Sequence, residues 1–195
     1  MEDQKKGFSD RAKFLLRNLL KGLLWLAVLV TAYIYVKRNY GFDLEVIMGP
    51  LYEQPVAIFS IFLISEVVFG IIPPEFFMIW SLRHEALSLY IENVLALTLI
   101  SYAAGMIGYY LGSKFGGSKW YRLLKMKVFG KFEKHFNQYG GFLVVVAALT
   151  PLPFSGICML VGAVKYNFRR FVWISMMRFV RFIAYAFVIW EANIF

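Results

Sequence analysis

Apolar residues run along this chain in five blocks separated by polar stretches, and two of the blocks carry prolines in mid-run. Blocks of this length and composition predict membrane helices. The first, residues 19–36, follows Lys5, Lys6, Arg11, Lys13, Arg17 and Lys21. A cleavable signal peptide would start the same way, but no A-x-A site follows it; Tyr33, Tyr35, Lys37 and Arg38 do. We therefore expect a retained transmembrane helix with a basic amphipathic lead-in and a cytoplasmic N-terminus. Residues 39–54 are a polar linker with Gly41, Asp43, Glu45, Gly49 and Pro50.

The block at 56–82 contains SEVVFGIIPPEFF at 65–77, with Glu66, Gly70, Pro73, Pro74 and Glu75. Each proline removes a backbone donor and its ring clashes with the preceding turn. Ile72 is also pushed out of the helical region by the residue after it. The spacing predicts a break near 71–74, at membrane depth, where broken backbone survives only inside protein or along a wet cavity. A re-entrant hairpin opening outward follows; a kinked helix with one snorkelling glutamate is the plainer alternative. The block at 140–165 repeats the pattern with Pro151, Pro153 and Gly156, and predicts a second re-entrant hairpin, opening inward. Two proline-interrupted segments in comparable places suggest an inverted repeat and point to a midplane site.

Between them, residues 88–112 form an expected transmembrane helix in which Ala104, Gly108 and Gly112 recur every four residues beside Gly105. Small residues so spaced let another helix approach closely; a ligand resting on bare backbone is the functional alternative. Residues 113–139 are basic, with Trp120, Leu124, Val128, Phe132 and Phe136 spaced by four. This predicts an amphipathic helix in the cytoplasmic interface. The aromatics follow the amphipathic period, which argues against a nucleic-acid arm. The last expected helix, 170–190, carries Arg178 and Arg181, which share a face. Arginine inside a span is costly unless paired or hydrated. Snorkelling is one way out; the nearest counter-charges are Glu66 and Glu75.

Composition supports this reading. The 195 residues are 60% hydrophobic, with a mean hydropathy of +0.62, far above a soluble domain. The net charge of +9 fits cytoplasmic loops and anionic headgroups, not nucleic acid. Cys158 stands alone, so no internal disulfide can form. Two scattered histidines, His84 and His135, argue against a metal site, and no cofactor is expected. No His/Asp constellation and no serine with a nearby base suggests an enzyme.

These residues carry a resemblance. Glu66 with IPPE at 72–75, AAGMIGYYLGSKFGG at 103–117, FEKHFNQYGG at 132–141, ALTPLPFSGICMLVGA at 148–163 and NFRRF at 167–171 resemble, in order and spacing, the DedA/VTT (SNARE-associated Golgi protein) family, short bacterial type. The resemblance implies an all-α integral membrane protein of the bacterial inner membrane, with transmembrane helices and two inverted re-entrant hairpins. It divides the chain into residues 1–54 and a VTT-like domain at 55–195. Members are implicated in moving phospholipids or polyprenyl-phosphate carriers between leaflets. Many bacterial members have R-F-x-P-x-x-R in the second hairpin, whereas here Ala148 and Phe154 stand at the arginine positions.

The expected mechanism is a polar furrow lined by Glu66 and Glu75 on its outer half and by Arg178 and Arg181 on its inner half. Arginine is suited to grip a lipid phosphate. A protonatable carboxylate at that depth could couple movement to protons. The expected partners are thus membrane lipids and protons, with homo-oligomerisation open. A membrane scaffold whose charges only lock helices together is the competing class.

Overall fold

A computed structural model describes residues 2–40, 49–84, 86–116 and 133–194. Among them every regular element is helical: α1 (Glu2–Tyr40), α2 (Pro55–Val67), α3 (Pro74–Trp80), α4 (Leu87–Phe115), α5 (Glu133–Leu149), α6 (Phe154–Ala163), α7 (Phe168–Ser175) and α8 (Met177–Ile194). Short 3-10 turns at Gly49–Leu51 and Ser81–His84 complete the set. Two stretches are long and apolar enough to cross a membrane, Leu87–Phe115 and Phe168–Asn193. The second is α7 and α8 run together, with a turn at Met176.

The basic lead-in and the first expected membrane helix are one unbroken helix, α1. One expectation shifts. The first break begins earlier than the prolines suggest. Helix α2 already stops at Val67, where Phe69 and Gly70 both take left-handed backbone, each at φ 67°. The Gly70 N–H donates to the Ser65 carbonyl at 2.7 Å, which closes the turn as in a Schellman cap. Pro73 is the N-cap of α3 and Pro74 its first residue, a position where the missing donor costs nothing. The prolines start the second half; the left-handed turn ends the first. The interfacial helix expected at 113–139 has its centre, 117–132, outside the described residues. So does 41–48 of the polar linker.

The second break is where the prolines place it, between Leu149 and Phe154. Helix α6 then packs lengthwise on α4, along the face of Ala104, Gly105, Gly108 and Gly112. A Cβ at Gly108 would lie 2.6 Å from the Ser155 carbonyl oxygen, and one at Gly112 would overlap the Met159 carbonyl. From the other side, a Cβ at Gly162 would overlap the carbonyl of Tyr109. The two backbones touch, as the spacing of small residues requires.

Two apolar clusters hold the rest. One gathers Ile58, Phe62, Trp80, Leu97, Phe182 and Ile189; the other gathers Val144, Ala148, Phe154, Cys158, Val161 and Phe171. Helices α4 and α8 contribute to the first cluster, and the second draws on α4 and α7. Ser101, Arg178 and Arg181 therefore fall at the seam between the two.

Gly112→Leu should unfold the domain or cut the yield of monodisperse protein sharply, since backbone cannot yield as a side chain can; overpacking costs about 1–3 kcal/mol even where side chains can move. Ala103→Leu, on the exposed face of α4, should be neutral in the same thermal-unfolding measurement in detergent. Pro73→Ala with Pro74→Ala should leave the first break in place. Gly70→Ala should cost roughly 1–2 kcal/mol for its left-handed backbone.

Candidate functional site

Four buried charges, Glu66, Glu75, Arg178 and Arg181, meet at that seam. Glu66 lies one residue before the end of α2, where the helix dipole disfavours an anion. Its compensation comes from Arg178 on α8, whose Nη2 donates to Oε2 at 2.9 Å and to Oε1 at 3.1 Å. Ser101 of α4 closes the ring. Its hydroxyl donates to Glu66 Oε2 at 2.6 Å and accepts from Arg178 Nε at 2.9 Å. The Arg178 guanidinium also sits 4.7 Å above the ring of Phe154, a cation–π contact.

The second pair joins the two breaks. Glu75, in the first turn of α3, accepts from Arg181 Nη2 at 2.8 Å. Arg181 Nη1 donates to the Thr150 carbonyl at 2.7 Å. That carbonyl stands at the C-terminal end of α5, where the last carbonyls have no helical partner and favour a cation. The breaks also touch directly. The Ser155 hydroxyl donates to the Glu66 backbone carbonyl. Phe69 lies flush on Gly156, where an added Cβ would come within 2.8 Å of its ring.

All four charged residues are 5% exposed or less. They nonetheless border a cavity of about 170 Å³, lined also by Trp25, Gly70, Pro73, Pro74, Pro151 and Pro153. Three buried polar atoms make no hydrogen bond among the described residues: Glu75 Oε2, Arg178 Nη1 and Arg181 Nε. Two cations face two anions, so the cluster is neutral, with donors and an acceptor left over. A polar cavity of this kind has room and partners for water.

The model of the VTT domain matches residues 59–191. The chain belongs to the VTT-domain (DedA) family. Its match to an uncharacterized protein of Methanocaldococcus jannaschii is 30% identical over 117 residues, 58% of this chain and 71% of the relative. No solved structure matches it. Together with the two membrane-length helices, membership makes this VTT-domain chain a membrane protein. Helix α1 lies outside the matched region.

Of the residues that sequence reasoning picked out, Glu66, Glu75, Arg178, Arg181, Gly70, Pro73, Pro74, Pro151 and Pro153 converge on one cavity. Gly156 lies against the first break, while Ala104, Gly105, Gly108 and Gly112 serve packing. Ala148 and Phe154, at the family's arginine positions, are buried apolar core. Sequence reasoning missed Ser101, Ser155, the Thr150 carbonyl and Trp25. Ser101 had a signal, because it stands on the small-residue face of α4, three residues before Ala104. Trp25 had none. The described residues hold no group of three metal-ligating side chains.

Removing one member of a buried pair strands the other. Arg178→Met should cost about 3–5 kcal/mol, and adding Glu66→Leu should recover most of the loss. Thermal unfolding of the two single variants and the pair, purified in one detergent, measures this coupling.

Proposed function

We propose that this VTT-domain protein moves lipid headgroups, of phospholipid or lipid-phosphate type, between the leaflets of a bacterial inner membrane. The observation that carries this reading is the convergence of both broken segments and all four charges on one cavity with unsatisfied polar atoms. In this reading α2–α3 and α5–α6 are re-entrant hairpins, opening outward and inward, and the N-terminus is cytoplasmic. A headgroup enters the cavity while its tails stay in lipid. Its phosphate draws Arg178 or Arg181 away from a carboxylate, and the released Glu66 or Glu75 takes up a proton. Arg178 Nη1 and Arg181 Nε, which make no hydrogen bond among the described residues, are donors left over to hold such a phosphate. Arg178 over Phe154 and Arg181 beside Thr150 bring guanidinium groups to the break that lacks arginines of its own. We read the chain as a transporter, not an enzyme.

A scaffold or assembly factor is the second reading. The direct contacts of 2.9 and 2.8 Å between nearly sealed partners favour it, because such pairs can serve only to register helices.

Purified protein in liposomes with fluorescent lipids, with and without a proton gradient, separates the two. Glu66→Gln and Arg181→Gln should each abolish lipid movement while the protein still folds, with Glu75→Gln and Arg178→Gln similar or milder. Glu66→Gln should also remove any pH dependence, since an amide takes up no proton. Wild-type rates in these variants would leave the scaffold reading. For topology, single cysteines at Lys37 and Arg83 in a Cys158→Ala background should both label from outside; labelling of only one would mean that the first hairpin crosses fully.

A further inference from the structure

Helix α1 stands outside the family-matched residues, yet one wall of the charged cavity belongs to it. Trp25 lines that cavity together with Glu66, Glu75, Arg178 and Arg181. One turn earlier, Gly22 presses on the second break. A Cβ there would come within 2.9 Å of the Pro151 ring and 3.0 Å of the Tyr185 hydroxyl. Tyr185 in turn lies under Arg181, whose guanidinium is 4.9 Å from the ring centre. So α1 rests on the two structures that hold Arg181: the end of α5 and the flank of α8.

Among the described side chains of α1 the grip is narrow: only Gly22 and Leu26 are buried, Leu26 in the first apolar cluster with Val30 against it, while Leu20, Leu23, Leu24, Trp25 and Val28 are exposed. A helix held along one thin stripe can leave without unfolding the domain beneath it, because few buried contacts separate the two states. Three buried polar atoms of the cavity-lining residues make no hydrogen bond among the described residues and gain partners when water or a ligand enters.

We propose that α1 is a lid on the cavity: Gly22 lets it seat against Pro151, Trp25 closes the opening, and its departure along that stripe admits water and ligand to the ion pairs. The lid rests on the cavity described above and deepens the transport reading, but it can be tested without any transport measurement.

The test places one cysteine at Leu152, a cavity-lining position, in a Cys158→Ala background. A charged, membrane-impermeant maleimide reports its exposure in the full-length protein, in liposomes opened to reagent on both sides. With native α1, labelling should be slow. Trp25→Ala removes the plug, and Gly22→Leu wedges α1 off Pro151. Each should speed labelling by about tenfold or more, as expected when an open state populated at 10% or less becomes dominant. Leu24→Ala, on an exposed part of α1, should change nothing. Labelling rates unmoved by both Trp25→Ala and Gly22→Leu would overturn the lid. Faster labelling in both variants, with no lipid movement by the native protein in the liposome assay, would keep the lid and remove the transport reading.

Discussion

Two guanidinium groups stand between helices of a membrane protein, almost out of reach of solvent, and the rest of the fold is arranged to neutralise them. Each needs a carboxylate in direct contact and partners for its remaining donors, because an unpaired charge in so apolar a place costs several kcal/mol. No straight membrane helix supplies both. The structure meets the demand by breaking two helices where they touch each other. One break brings Glu66 and Glu75 to either side of a left-handed turn. The other frees the Thr150 carbonyl for Arg181. Helix α4 completes the arrangement with Ser101, and its small-residue face lets α6 approach closely enough for Ser155 to reach the carbonyl of Glu66.

That arrangement is satisfied but not saturated. One oxygen and two nitrogens of the cluster have no hydrogen bond among the described residues, and the space beside them is a cavity, not packed side chain. A purely structural ion-pair lock gains nothing from leaving such atoms idle, since each carries a desolvation cost. Phe69 holds left-handed backbone at the cavity edge, where the hydrogen bond from Gly70 N–H to the Ser65 carbonyl closes the helix cap.

Much of this was legible in the sequence because the signals were conflicts. Prolines and carboxylates inside apolar runs, and arginines inside an apolar helix, are locally expensive, so each announced a compensating partner. The spacing of Ala104, Gly108 and Gly112 marked a close helix contact for the same reason. What escaped notice was what costs nothing locally. Ser101 and Ser155 are unremarkable in apolar helices, and Gly22 and Trp25 become informative only once α1 is seen against Pro151. The first break starts earlier than the prolines suggest, because at the first turn of a helix proline breaks nothing. The left-handed turn at Phe69 and Gly70 had already ended α2, and a phenylalanine gives no hint of it.

The central claim is that these charges act on a passing headgroup and do not merely hold the helices. The most direct measurement is lipid movement by the doubly apolar variant Glu75→Leu/Arg181→Met, reconstituted after its fold has been verified by thermal unfolding. With both partners gone no charge is stranded, so the protein should fold. The account predicts a folded protein that moves no lipid; lipid movement at the wild-type rate would contradict it.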